Sequence, residues 1–411
     1  MISECIPKLW VTALAKAANQ EVDLLIMIRV YPLDVTFGNS DHGFIIHYKR
    51  SLQMIQQPFK KFAVGMIAAA AIGFTGLANA EKYTVKIGSG HSPSWIHIAL
   101  TQNFFIPEVK KRVKEKTGDE IEFIENWSGS SVKTTEVLEA VEQGVLDFGV
   151  YCICHEAQKL ALNNFPMYLP FGPANPEVSV RATRKVYDEH PELNRQFDKY
   201  GQRLLTLVPF EPYNLVSRTA ILKAAEVKGK KIGAAGPNAF WVSEAGALPV
   251  SVAGPDMYTS LQTGLIESMI IFLSVMDSLK LFDVAPNFVD VGFGSMTVTS
   301  LTVNNRRFNR FPKEVQSIII DVAKEMELQS AKVTREMGEK TVAAIKSKGV
   351  NVVTVSDADR RAWAEMLAGT PQDIAKKFEA ENKLPMTRVM KAYIQATESE
   401  GYRWPVKAKL D

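Results

Sequence analysis

A chain of 411 residues, 46% hydrophobic and 23% charged, with 25 Gly and 20 Pro, has the balance of a globular protein and not of a disordered tail or a many-span membrane protein. Its 48 Lys and Arg against 45 Asp and Glu leave a net charge of +3, too little for a basic field that holds nucleic acid by counterion release, so no nucleic-acid partner is expected. Three cysteines cannot build a disulfide framework, and a body of this length buries a sufficient core without one.

From Phe62 to Ala78 the chain carries no charge; Lys60 and Lys61 stand before this run and Ala78-Asn79-Ala80 closes it. Two lysines, an apolar run shorter than the ~20 residues that span a bilayer, and a small-x-small site are the parts of a secretory signal, with cleavage expected after Ala80. Counted from Met54 the signal has 27 residues, within the usual ~15–30, whereas counted from Met1 it has 80. Residues 54–80 therefore read as a signal peptide and 1–53 as an upstream extension that the working protein lacks. Within that extension Leu24-Leu25-Ile26-Met27-Ile28 is cut short by Arg29 and Pro32, and no capped helix follows. Removing residues 1–80 from 411 leaves 331, with 41 Lys and Arg, 40 Asp and Glu, a net charge of +1, and Cys152 and Cys154 as the remaining cysteines. The apolar stretch Ser268–Met276 lies between Glu267 and Asp277 and is too short to be a second span, so an exported protein is expected.

Along the remaining chain, Tyr83–Gly88 alternates and stops at glycine, Trp95–Lys116 has helical periodicity before Gly118, and Glu120–Asn126 reads as a second strand. Thr135–Gln143 predicts a helix ending at Gly144, and Asp147–Cys152 a third strand. Strands separated by such helices imply right-handed crossovers and a parallel sheet. The rhythm restarts with strands at Arg203–Pro209, Asn214–Arg218 and Lys231–Ala234, a helix through Ala245, a strand near Pro249–Val252, a helix at Met257–Gly264 and an apolar strand at Ser268–Leu273. Two α/β lobes follow. In Pro312–Lys348 the residues Val315, Ile318, Ile319, Val322, Met326, Val333, Met337, Val342 and Ile345 fall near helical spacing. At ~1.5 Å per residue that helix spans roughly 50 Å, enough to brace both lobes.

Gly88-Ser89-Gly90-His91-Ser92-Pro93 follows a strand and precedes a helix, but Pro93 stands where a dinucleotide fingerprint needs its third glycine, so no cofactor is expected. The preferred reading places Ser89, His91 and Ser92 at the carboxyl edge of the sheet, facing a ligand. His155-Glu156 begins a zinc-protease pattern, yet Lys159 occupies the second histidine position. In a strand Cys152 and Cys154 point to one face and His155 to the other, which suggests buried thiols in preference to a metal site or a strained bridge between the two cysteines. A nucleophile elbow and a phosphate-binding loop are both missing from the sequence. Trp95, Trp127, Tyr213, Phe240 and Trp241 fall near strand ends or helix starts, where a cleft between lobes would be lined, and as a set they suit a ligand with a flat or apolar body.

Lys228-Gly229-Lys230-Lys231-Ile232-Gly233, Gly246-Ala247-Leu248-Pro249-Val250 and Tyr258-Thr-Ser-Leu-Gln262-Thr-Gly264-Leu-Ile-Glu267 follow one another in this order. They resemble the patterns K-G-x-K-I-R, G-A-x-P-V and Y-x-x-L-Q-x-G-x-x-D of the periplasmic solute-binding subunits of tripartite ATP-independent periplasmic (TRAP) transporters, the C4-dicarboxylate-binding, DctP-like family. Gly144–Gly149, Phe165-Pro166, Leu169-Pro170-Phe171 and the helix from Pro312 support the resemblance. It implies an α/β, two-lobe periplasmic-binding-protein fold with hinge strands and a long helix spanning both lobes. Lobe I is then expected at 81–210, with about 297–336 returning to it, and lobe II at 211–296, with about 337–411 as C-terminal helices. It further implies a monomer without catalytic activity, a small-molecule solute captured by hinge closure, and delivery to small and large membrane subunits.

The family's arginine after the Lys-Ile pair, which grips a ligand carboxylate with a two-pronged salt bridge, is replaced here by Gly233. Tyr213 stands where some sialic-acid-binding relatives carry a second arginine, and Ile271-Phe272 stands where they present polar groups. The expected ligand is a neutral or aromatic compound, or a monocarboxylate held by Arg218, His91 or Asn214. Candidate contacts are Ser89, His91, Trp95, Trp127, Tyr213, Asn214, Arg218, Gly233, Asn238, Trp241 and Ile271, with arginine at 233 expected to create acid binding. Two other readings compete: a ligand sensor for a membrane receptor, and an exported enzyme using Cys152, Cys154 and His155.

Overall fold

The computed structural model describes residues 80–411. The readings of 1–53 as an extension and of 54–80 as a signal peptide fall outside this range, apart from Ala80. Eleven strands in the described residues form two sheets. They are β1 (Lys82–Gly88), β2 (Glu120–Asn126), β3 (Phe148–Cys152), β4 (Gln202–Pro209), β5 (Tyr213–Ser217), β6 (Lys231–Ala234), β7 (Leu248–Ser251), β8 (Ser268–Ile271), β9 (Asn287–Gly294), β10 (Thr297–Asn304) and β11 (Asn351–Thr354). The first sheet has the order β2-β1-β3-β10-β4 and the second β11-β9-β5-β8-β6-β7.

Both sheets are mixed, which corrects the expectation of parallel sheets. β1 runs parallel to β2 and β3, and β6 parallel to β7 and β8, through the helical crossovers read from the sequence. β10 is antiparallel to both β3 and β4, and β5 is antiparallel to both β8 and β9. The reason is connectivity: the chain leaves the first sheet along β4 and enters the second along β5, then returns from β9 to β10. All residues of β3, β5, β8 and β10 are buried, as expected for central strands covered on both faces.

Near the N-terminus the expected helix at Trp95–Lys116 is divided into Ile96–Leu100 and Ile106–Thr117, joined by a π-helical turn at Thr101–Phe105. The apolar run after Glu267 is not one strand to Leu273. It ends at Ile271, and Leu273–Ser278 is a helix with Leu273, Ser274, Val275 and Met276 buried, too short to show a period of its own.

The two crossings between sheets lie side by side. Phe210 N–H donates to the Met296 carbonyl at 2.9 Å, and Ser295 Oγ donates to the Phe210 carbonyl at 2.6 Å. Between them and the long helix sits Glu211, fully buried: its Oε2 accepts from Ser274 N–H at 3.2 Å, while Oε1 has no hydrogen-bond partner. Burial pushes this carboxyl up to about 7. Gly338 admits the close packing there, since a Cβ at 338 would lie 3.0 Å from Glu211 Oε1.

The helix Lys313–Ser347 buries Val315, Ile318, Ile319, Val322, Met326 and Ile345, while Val342 faces solvent. It packs against β4 and Ile106–Thr117 on the first lobe and against Leu273–Ser278 on the second. Glu327 fastens it: the carboxylate accepts from Arg184 Nε at 2.6 Å, from Leu207 N–H at 2.9 Å and from Thr206 Oγ1 at 3.3 Å. The C-terminal segment divides between the lobes, unlike the expectation that 337–411 sits wholly with lobe II. Asp357–Leu367 packs near 224–227, but Met386–Ser399 packs on Pro176–Glu189, burying Val389, Met390, Tyr393 and Ile394 with Val186 and Phe165 of the first lobe.

Candidate functional site

At the carboxyl end of β1 the loop 88–93 is held against a second loop by backbone hydrogen bonds: Ser89 N–H to the Asn126 carbonyl at 2.9 Å and Ser128 N–H to the His91 carbonyl at 2.9 Å. Gly90 is required there, because a Cβ would lie 2.2 Å from the Thr134 backbone nitrogen. Ser89 Oγ accepts from His91 N–H at 3.1 Å and so shapes the turn, and Ser92 Oγ bonds Ser94 Oγ at 2.6 Å. His91 is thereby aimed between the two sheets. Its ring stacks on Trp95, with centroids 4.4 Å apart, and its Nδ1 shares a hydrogen bond with His97 Nε2 at 3.2 Å.

His91 and Trp95 from this side meet Tyr213, Ala235, Val252, Met257, Met269 and Ile271 from the second lobe around one small cavity of about 20 Å³, room for little more than a water. The lobes touch directly at its rim. Trp95 packs edge-on to Phe272 at 5.6 Å and stands 3.6 Å from where a Cβ on Gly254 would be. Gly236 abuts Cys154: a Cβ at 236 would lie 2.2 Å from the Cys154 carbonyl oxygen. This is a closed arrangement, with the cavity shut between the two lobes.

No Lys, Arg, Asp or Glu lines the cavity. Its imidazoles are neutral as well. Burial, reinforced by His97 and His155, holds His91 well below the ordinary range; burial and His155 bring His97 to about 3, and burial brings His155 to about 4. Burial also raises the Tyr213 phenol, so it stays protonated and able to donate.

Of the sequence-derived candidates, His91, Trp95, Tyr213 and Ile271 line the cavity, and the others lie elsewhere. Trp127 donates to Glu125 at 2.7 Å away from the cavity. Phe240 is half-buried, and Trp241, bonded to the Met167 carbonyl at 2.9 Å, packs edge-on behind Tyr213 as core. Asn214 is committed to the hinge side of its sheet, accepting from Gly292 N–H at 2.7 Å and donating to the Pro212 carbonyl at 3.3 Å. Arg218 is exposed just past the far end of β5, so neither it nor Asn214 is the donor expected for a ligand acid. Asn238 braces Ala235, whose N–H reaches Asn238 Oδ1 at 2.8 Å, while Asn238 Nδ2 is buried without a partner. Gly233 faces the core side of Met269: a Cβ there would lie 2.2 Å from Met269 Sδ and 2.9 Å from Ile266 Cδ1.

Cys152 and Cys154 are joined by a disulfide, not left as thiols, and both line the cavity together with His155. Strand alternation predicts that His155 points away, but β3 ends at Cys152 and the 3₁₀ turn Ile153–Glu156 carries the ring around to the same side.

Residues 100–377 match the model of the DctP family, described as bacterial extracellular solute-binding protein, family 7. The chain belongs to this family. A solute-binding protein of Albidiferax ferrireducens is 24% identical over 77% of this chain and 90% of its own length. The Bordetella pertussis extracytoplasmic solute receptor that binds pyroglutamic acid has the same fold, with a TM-score of 0.65 at 20% identity over 78% of this chain and all of that one. A TRAP periplasmic solute-binding protein from Desulfovibrio salexigens, with bound orotic acid, gives 0.66 at 20% identity over 77% and 99%.

For a family-7 solute-binding protein, the two-lobe body, paired hinge crossings and cavity between sheets form one device. Its cavity also includes Met257 and Met269, which the sequence analysis did not single out. Only their positions on either side of the Tyr258–Glu267 segment, which carries a family pattern, distinguish them from core methionines.

Proposed function

We propose that this chain captures a small organic solute in the cavity around Trp95 and delivers it, closed and as a monomer, to the small and large membrane subunits of a TRAP transporter. It works in the periplasm after removal of the 54–80 signal, and it binds without converting its ligand. The observation that carries this reading is the cavity itself, walled from both lobes beside two hydrogen-bonded hinge crossings. Small ring acids bound by the relatives, pyroglutamic and orotic acid, support the size of the solute.

The ligand is a neutral or aromatic compound, or a monocarboxylate that meets Tyr213 and His91 in place of an arginine fork. Met269 supports this choice, because its sulfur occupies the space toward which a side chain at 233 would grow. Gly233→Arg alone is therefore expected to destabilise the protein without binding acids. Gly233→Arg combined with Met269→Ala opens that space and is expected to strengthen malonate or orotate binding at least about tenfold over wild type, ~1.4 kcal/mol. Thermal denaturation with each acid and with neutral aromatics checks both variants. Tight malonate binding by the wild type, unchanged in the double variant, would contradict the uncharged pocket.

A further inference from the structure

His91 and His97 are both buried, and the 3.2 Å bond between His97 Nε2 and His91 Nδ1 shares one proton between the two rings. Their other nitrogens differ in surroundings. His97 Nδ1 is sealed in the protein without a hydrogen-bond partner. His91 Nε2 has no protein partner either, but it is not among the sealed atoms, and its ring lines the interlobe cavity.

A neutral imidazole carries its proton on one nitrogen or the other. If His91 Nδ1 donated to His97, the proton of His97 would sit on Nδ1, a buried N–H with nothing to receive it. If His97 Nε2 donates instead, Nδ1 keeps only a lone pair. Orphaned buried N–H groups are rarer than under-satisfied acceptors, so the second arrangement wins and leaves His91 with its proton on Nε2. Local structure holds the pair in place. Thr101 Oγ1 donates to the His97 carbonyl at 2.7 Å where the helix Ile96–Leu100 gives way to its π-helical turn, and His91 lies within 26° of the plane of Trp95. The Tyr213 hydroxyl, on the other wall of the cavity, is a second donor, and no carboxylate shares the lining.

We propose that His97 is a positioning residue: it donates to His91 Nδ1 and thereby presents His91 Nε2–H, together with the Tyr213 hydroxyl, to a carbonyl or carboxylate oxygen of the solute. The inference rests on the interlobe cavity being the solute site, and it narrows the solute to compounds that bring such an oxygen. An ammonium group meets no acceptor carboxylate there, and a bare hydrocarbon ring leaves both donors unpaired.

The test is nuclear magnetic resonance of the wild type labelled with ¹⁵N in its six histidines. The expected spectrum has His91 protonated on Nε2, His97 protonated on Nε2, and a coupling across the N–H···N bond between the rings. Acetate, the probe, is expected to move the His91 Nε2 signal, and methylammonium to leave it in place. His97→Phe keeps a ring but loses the donor: the His91 Nδ1 signal is expected to shift to that of an unbonded nitrogen, and acetate affinity to fall about tenfold. His97→Gln, whose amide nitrogen can stand where Nε2 stood, is expected to restore both. A proton on His91 Nδ1 in the wild type, or an unchanged Nδ1 signal and acetate affinity in His97→Phe, overturns the proposal. If His97→Phe does not fold, the side of the wild-type N–H···N bond that carries the proton decides. Failure of acetate while another solute raises the melting temperature overturns this inference and spares the transport reading. No response to any solute sinks the transport reading itself, whatever the tautomer.

Discussion

Gly236→Ala is expected to weaken solute binding at least about 100-fold, ~3 kcal/mol withheld from the closed form, while both lobes stay folded. The Gly236 φ is +59° and a Cβ there would lie 2.2 Å from the Cys154 carbonyl oxygen, a backbone atom that cannot step aside. In the open form the two loops part and the methyl group meets nothing from the first lobe, so the cost falls on closure. Left-handed backbone strain alone is controlled by Gly229→Ala, where φ is +73° and no atom lies within 4 Å of the added Cβ. Calorimetric titration of the three proteins with one solute, together with their radii of gyration from solution scattering, checks this. Equal affinity in Gly236→Ala and wild type would contradict closure at this contact.

The second large effect is one of pH. The Glu211 carboxyl sits at about 7 in the folded protein against 4.5 ordinarily, so between these values the folded state holds a proton that the unfolded state has lost. Below 4.5 the group costs nothing; as pH rises through 7 the buried carboxylate must ionise, and stability falls. Glu211→Gln cannot ionise and is expected to gain on the wild type by about 3 kcal/mol between pH 4.5 and 8. The low-lying His91, His97 and His155 act in the opposite sense, adding stability as pH rises toward 6.5, but they are common to both proteins and cancel in the difference. Urea denaturation at pH 5 and 8 measures it, and a constant gap between the two proteins would contradict the buried hinge carboxylate.

Much of the architecture was legible in the chain because its signals are local. The alternation of Tyr83–Gly88, the glycine stops after Gln143 and Thr263, and the periodicity of the long helix map onto observed elements within a few residues. What escaped depends on distant partners. The antiparallel pairs of β10 with β3 and β4 join segments about 90 to 150 residues apart, which no local pattern specifies. The site divided in the same way. Trp95 and Tyr213 stood out as aromatics at element ends, but Trp241 had an equal signal and became core. His155 was misdirected because strand alternation was extended one turn too far, and nothing in the sequence around Gly236 shows that Cys154 rests against it.

A larger open groove of about 670 Å³, passing over Arg184, Arg203, Lys324 and Glu327 on the first lobe, is the rival location for a ligand. The decisive measurement is a crystal structure of the wild type grown with whichever small organic acid or neutral aromatic most raises its melting temperature. At 100 times its dissociation constant such a compound adds ~2.7 kcal/mol, a shift a screen detects readily. Ligand density bounded by His91, Trp95, Tyr213 and Ile271, with no arginine in contact, is the expected result. Density in the groove over Arg184 and Arg203, with the interlobe cavity closed and empty, would contradict it.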